Sequence, residues 1–215
     1  MSNDVSSQEK LAPQFQDLEQ QSETASLGMW IFLATEVLFF GGLFEAYAIY
    51  RYQYPLDFAL AAKRLDVMIA TVNTAILLFS SYLFALAVDA IQAAKPKRSL
   101  RFLIGTWLLG LCFLSLKSYE YYSDGRNHIA IWPTSIKSSS PEKIFYFLYY
   151  TITGLHALHM IIGLSLLVWL MIRFKRDEFS REYYAPLEVT ALYWHFIDIA
   201  WIFIYPLFYL LDRHT

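Results

Sequence analysis

Ionisable side chains interrupt three of the apolar stretches of this chain. Glu36 lies in the first stretch. His156 and His159 lie together in a later one, and His195 and Asp198 lie in the last. Residues three apart share one face of a helix, so each pair presents two polar groups in one direction. Polar groups inside the hydrocarbon region of a membrane are costly, so these five are expected to face the bundle interior and to mark a functional or tightly packed site.

Three kinds of chemistry suit this set of residues. The first is a hydrogen-bonded network that ties helices together, in which Glu36 and Asp198 satisfy imidazoles and hydroxyls. The second is a metal site, because bundles use carboxylates and closely spaced histidines as ligands. The third is a proton relay. No Glu-x-x-His motif lies within the apolar stretches, which weakens the comparison with di-iron bundles, and the spacing favours the network over the other two.

The composition explains why these residues must lie at membrane depth. The chain has 215 residues, of which 57% are hydrophobic and 17% charged, a balance typical of a polytopic membrane protein. Its net charge of −2 gives no indication of a nucleic-acid partner. The single cysteine, Cys112, excludes an internal disulfide and a cysteine metal cluster.

A helix needs about 20 apolar residues to cross the hydrocarbon core. Five stretches approach or reach this length, which predicts an all-α fold built as a bundle of five transmembrane helices: 27–50, 67–88, 102–116, 144–172 and 189–211. The third stretch is the shortest and continues through Lys117 towards Tyr122. Residues 1–26 are polar and acidic, and are interpreted as a cytoplasmic N-terminal tail that precedes a transmembrane domain at 27–215.

The basic residues predict the orientation, because Lys and Arg concentrate in cytoplasmic loops. The two dense basic clusters lie in alternate loops, so the N-terminus is predicted inside and the C-terminus outside: Lys95, Lys97, Arg98 and Arg101, then Arg173, Lys175, Arg176 and Arg181. Glu36 and Asp198 then lie at a similar depth, about 14 Å from the inner edge. Glu120 follows Lys117 by three residues near the outer end of its span, so these two are expected to pair at the membrane interface, apart from the mid-membrane set.

Each span contains one distinctive motif: T-E-V-L-F-F at 35–40, V-N-T-A at 72–75, S-Y-E-Y-Y at 118–122, T-G-L-H-A-L-H at 153–159 followed by I-I-G at 161–163, and Y-W-H-F-I-D at 193–198. In this order the five motifs resemble the subunit III family of the haem–copper oxidases, and within it the cytochrome c oxidase form. The resemblance covers residues 27–211 and leaves the acidic tail uncovered.

The resemblance implies a membrane subunit of an aerobic respiratory complex, with no active site, haem, copper or other metal of its own. Such a subunit packs against the catalytic subunit I, which reduces oxygen to water and pumps protons and which, with subunit II, receives electrons from cytochrome c. It stabilises subunit I, supports proton uptake and holds phospholipid. Glu36 matches the family's buried carboxylate that carbodiimide modifies, and four other positions match an interior polar network: His156, His159, His195 and Asp198. Glu120 matches the acid of S-x-E-Y-Y.

One departure from the family pattern affects the lipid inference. Longer members have seven spans, and a lipid-filled cleft separates the first two from the other five, whereas this chain matches only the last five.

The expected location is a bacterial inner membrane. Two alternatives remain within the wider superfamily, a quinol oxidase subunit III and an accessory subunit of a nitric oxide reductase. A free-standing membrane metalloenzyme built on the five polar residues is the alternative from another class.

Overall fold

The computed structural model describes residues 13–126, 140–176, 178–180 and 183–211, which are helical nearly throughout and contain no strand. The all-α prediction is therefore confirmed. The five long helices and one short one are α1 Leu18–Gln53, α2 Pro55–Ala62, α3 Val67–Gln92, α4 Pro96–Arg126, α5 Ser140–Lys175 and α6 Ala185–Tyr205, and α6 continues into one turn of π-helix at Pro206–Leu210.

All five long helices are long and apolar enough to cross a membrane, which confirms the predicted number of spans. The helices extend beyond the predicted apolar stretches because polar residues at the interfaces continue them. α1 begins at Leu18, inside the stretch interpreted as a tail, where the carboxylate of Asp17 accepts a hydrogen bond of 2.7 Å from the Gln20 N–H. The first twelve residues of that tail, and residues 127–139 of the connection that follows α4, lie outside the described residues.

The short helix α2 was not anticipated from the sequence. Pro55 starts it directly after α1, and it buries Phe58 completely. The Phe58 ring packs 5.6 Å from that of Tyr47 on α1 and 5.3 Å from that of Phe145 on α5. Its role is therefore to close one end of the bundle between α1 and α5.

The last helix, α6, is the centre of the bundle, and α1 is peripheral. In the most apolar 18-residue window, 56% of the α6 residues are buried, against 11% for α1. Trp194 anchors this centre: it is fully buried and donates its indole N–H to Ser80 Oγ at 3.1 Å. Gly110 on α4 and Gly163 on α5 lie against the indole, where a Cβ would approach it to 2.8 and 3.0 Å. Small residues at such contacts let membrane helices approach closely.

Candidate functional site

The structure joins Glu36 on α1 to His159 on α5. Glu36 Oε2 lies 3.1 Å from His159 Nε2, and His159 Nδ1 lies 2.8 Å from the backbone oxygen of Leu155. A carbonyl oxygen can only accept, so Nδ1 must carry a proton and donate it. The contact with Glu36 therefore holds one shared proton, either as a carboxylic acid donating to a neutral imidazole or as an imidazolium donating to a carboxylate. Tyr193 on α6 adds a third helix, since its hydroxyl donates to the backbone oxygen of His159 at 3.2 Å.

This pair lies at the edge of the bundle. The side chains of Glu36 and His159 are 17% and 12% exposed, so neither is sealed in the core. Phe40, one turn along α1, packs 5.5 Å from the His159 ring. From there an apolar groove of about 210 Å³ runs between α1 and α6, lined by Phe40, Gly41, Phe44, Phe196, Ala200 and Phe203.

His195 and Asp198 share a face of α6, and that face meets α3. His195 Nδ1 lies 2.6 Å from the hydroxyl of Ser81. Asp198 is 3% exposed and approaches the same serine, but neither of its carboxylate oxygens makes a well-formed hydrogen bond within the described part of the chain. The pair therefore ties α6 to α3 through Ser81, with His195 making the formed contact.

His156 does not join His159, although the two lie three residues apart. It is 1% exposed and is enclosed by aromatic rings, with Phe113 at 5.6 Å and Trp201 at 5.0 Å. Neither of its ring nitrogens has a hydrogen-bond partner among the residues that the structure describes. The five residues thus occupy three separate environments rather than one constellation.

A second polar network lies around Lys117 and Glu120 on α4. The side chains of these two residues are only 3% and 2% exposed. Lys117 Nζ lies 3.0 Å from Glu120 Oε2, and the ammonium also donates to Tyr149 at 3.0 Å and to Tyr209 at 2.6 Å. The tyrosine hydroxyls lie 2.8 and 2.5 Å from Glu120 Oε1. The Lys117 ammonium also lies 5.1 Å from the centre of the Trp201 ring. The i, i+3 spacing indicated the ion pair, but the sequence did not show that tyrosines from α5 and the π-helical turn would enclose it.

These contacts are suited to holding helices in place. A buried ion pair is tolerated when further hydrogen bonds satisfy both partners, and Lys117 and Glu120 meet that condition. Within the described part of the chain, no three His, Cys, Asp or Glu side chains are gathered so that they could hold a metal ion.

A sequence model of the family described as cytochrome c oxidase subunit III matches residues 4–212. The chain belongs to this family. It is 34% identical over 184 residues to a probable cytochrome c oxidase subunit 3 from Nocardia farcinica, with 86% of each chain covered. A cytochrome c oxidase subunit 3 from Thermostichus vulcanus is 29% identical, with 87% of each chain covered. A probable quinol oxidase subunit 3 from Staphylococcus aureus is 32% identical, covering 89% of this chain and 90% of the relative.

The chain is thus a multi-pass membrane protein and a subunit III of the haem–copper oxidases, a family whose members work in a complex with other oxidase subunits. The family is compatible with a chain that carries no cofactor of its own. In this subunit III, the family motif in each of the five spans contributes a side chain to a contact between helices.

Proposed function

We propose that this subunit III is a non-catalytic scaffold of a cytochrome c-oxidising terminal oxidase, which stabilises subunit I and supports proton uptake during the reduction of oxygen to water. Haem and copper would reside in the partner subunits I and II, and cytochrome c would be met only indirectly. The observation that carries the proposal is that the formed polar contacts of the motif residues link helices to each other: Glu36 to His159, His195 to Ser81, and Glu120 to Tyr149 and Tyr209.

The position of Glu36 supports a role at the surface of the subunit. Its pair with His159 is partly open beside α1, the helix with the smallest buried share of its span. Of the 36 residues of α1, the buried ones are Leu33, Phe40 and Tyr47. A membrane helix this exposed is suited to contact another apolar surface, and we propose that this surface belongs to oxidase subunits and phospholipid. We further propose a bacterial inner membrane, with the N-terminus cytoplasmic and the C-terminus periplasmic, from the basic residues at the start of α4 and the end of α5.

The second candidate is the subunit III of a quinol oxidase. The similarity to the Staphylococcus aureus relative favours it almost as strongly, since identity and coverage match those of the cytochrome c oxidase relatives. The partner subunit II separates the two candidates: a dinuclear copper site favours cytochrome c as the electron donor, and its absence favours quinol. Oxygen consumption with reduced cytochrome c, compared with consumption with a reduced quinol, makes the same distinction in the purified complex.

Metal analysis of the isolated subunit tests the scaffold role against a free-standing metalloenzyme. The scaffold role predicts that the subunit, separated from its complex in mild detergent, holds no stoichiometric iron, copper or zinc. One equivalent of any of these metals in the separated subunit would overturn it. The grouping of His, Cys, Asp and Glu in the described residues gives the metalloenzyme no support.

A further inference from the structure

Two exposed stripes of matching composition run side by side along α4 and α5. On α4 the stripe begins with Lys97 and Arg101 and continues through Ile104, Leu108 and Leu111, a spacing that keeps all five residues on one helix face. On α5 it runs through Ile161, Val168 and Ile172 and ends with Lys175. The α4 stripe therefore has two cations at one end and the α5 stripe has one, and both have exposed apolar side chains along the rest.

The cations of the two stripes lie at the same end of the bundle. α4 and α5 are antiparallel neighbours: Gly110 lies against Leu164 near the middle, and the hydroxyls of Tyr121 and Thr153 lie 2.5 Å apart nearer the other end. The first turns of α4 are consequently level with the last turns of α5. Gly110 and Thr153 mark the flank on which the helices meet, and the stripes lie beside that flank.

These three cations have no carboxylate partner among the described residues, whereas the neighbouring Arg173 has one. Among the described residues no carboxylate lies within 4 Å of Lys97, Arg101 or Lys175. Arg101 donates its Nε–H to the backbone oxygen of Lys97 at 3.3 Å, which holds its guanidinium beside the lysine. By contrast, Arg173 is paired with Glu178 at 2.5 Å and lies 4.8 Å from the Trp169 ring, so its charge is already compensated.

We propose that the two stripes form a binding site for an anionic phospholipid, with its phosphate at Lys97, Arg101 and Lys175 and its acyl chains along the apolar residues. The two stripes match such a lipid both in charge and in length. An ammonium or a guanidinium donates charge-assisted hydrogen bonds to phosphate oxygens. From Lys97 to Leu111 the stripe rises about 21 Å, which takes it from the interface past the roughly 15 Å of one leaflet's hydrocarbon layer. This site lies on the opposite flank of α5 from Glu36, and it does not depend on the proposed function.

Photo-crosslinking in the intact purified complex tests the site. The complex is reconstituted in nanodiscs that contain a photoactivatable phosphatidylglycerol, or a phosphatidylcholine with the same acyl chain, and the crosslinked peptides are mapped. We expect phosphatidylglycerol to label residues 97–111 and 161–175 more than phosphatidylcholine does. Replacing Lys97, Arg101 and Lys175 by Gln should lower the phosphatidylglycerol label about fivefold for each cation removed. The charge-conserving variant, which combines Lys97→Arg, Arg101→Lys and Lys175→Arg, should keep most of the phosphatidylglycerol label.

Arg98→Gln is the matched control, because Arg98 lies in the same turn of α4 but stacks 5.4 Å from the Phe102 ring, away from the stripe. It should leave the labelling unchanged. Equal labelling by both lipids, or equal loss in Arg98→Gln and the triple variant, would overturn the site and leave the cations a role in topology or in binding an acidic protein segment. If the triple variant fails to assemble, the comparison of the two lipids in the wild-type complex and the single variant Arg101→Gln still test the lipid site.

Discussion

Two glycines pack so closely against the central Trp194 that a methyl group added at either position should destabilise the bundle. Gly163 on α5 faces one edge of the indole: a Cβ there would lie 3.0 Å from both Cε3 and Cζ3 of Trp194 and 3.4 Å from Ile197 Cδ1. The indole cannot move away freely, because Gly110 lies close to its Cζ2 and Cη2 atoms and Ser80 accepts its N–H. Gly163→Ala should therefore push the centre of the bundle apart by a few tenths of an ångström.

The magnitude follows from the crowding and from a control on the same helix. Overpacking a well-packed core costs about 1–3 kcal/mol. Replacing a helical glycine by alanine also gains about 1 kcal/mol of helix propensity. Gly154, two and a half turns earlier on α5, has no atom within 4 Å of its Cβ position, so Gly154→Ala receives the propensity gain without the crowding. The difference between the two variants is then about 1–3 kcal/mol, which is the cost of overpacking alone.

The assay is thermal unfolding of the subunit in detergent. A fluorescent-protein fusion of each variant is heated in steps, and the surviving monodisperse peak is measured by size-exclusion chromatography. A domain of this size shifts its midpoint by about 2–4 °C for each kcal/mol, so Gly163→Ala should melt roughly 2–12 °C below Gly154→Ala. Equal midpoints for the two variants, or a lower midpoint for Gly154→Ala, would refute the packing around Trp194 described above.

Three further predictions concern the polar contacts. Glu36→Ala leaves His159 Nε2 without its partner, so the assembled complex should lose activity faster during turnover while its haem spectrum stays unchanged. Glu36→Gln keeps a hydrogen-bond donor, so its loss of activity should be slower than that of Glu36→Ala. A lost haem spectrum in a fully assembled complex would contradict this prediction. Lys117→Met leaves Glu120 buried without its cation and should cost about 3–5 kcal/mol, measured by the same melting assay. Replacing Lys117 by Met and Glu120 by Leu together should recover part of that loss, and a single variant as stable as the double one would show that the pair is not coupled. Asp198→Asn removes a buried acid that makes no well-formed hydrogen bond, so the melting midpoint should hold or rise; a fall equivalent to more than about 2 kcal/mol would show that the carboxylate has a strong partner.

The fold was largely predictable because the hydrocarbon core imposes a minimum length on each apolar stretch. The five spans follow from that rule alone, and all five are present. Their ends were less predictable. The apolar part of the third span was placed at 102–116 and was expected to continue through Lys117 towards Tyr122, whereas α4 begins earlier, at Pro96, and runs to Arg126. Lys117 and Glu120 compensate each other inside the bundle, so the helix continues through them.

The polar contacts were predictable only where their partners lie on one helix. The i, i+3 spacing placed Glu120 beside Lys117, but Tyr149 and Tyr209 come from other helices, and their arrival depends on how the bundle packs. The same limit separates two histidines that share a helix face. His159 points to the edge and meets Glu36, whereas His156 lies among aromatic rings, and helical spacing alone assigns no neighbour to either.

The packing of Trp194 shows a further limit of sequence reasoning. Glycines are common in membrane helices, and nothing in the sequence distinguishes Gly163, which supports the indole, from Gly154, which touches nothing. The distinction arises from the register of α5 against α6. In the structure, the tryptophan of the last span faces small residues in two other spans. Which small residues it faces can be recognised only once the pairing of the helices is known.

Purification of the tagged subunit in mild detergent tests the central claim most directly. A non-catalytic oxidase subunit should copurify in stoichiometric amount with a haem- and copper-containing complex that reduces oxygen, and the subunit separated from this complex should carry no metal. A chain that purifies alone with a bound metal, or together with proteins that hold no haem, would contradict the assignment as a non-catalytic oxidase subunit.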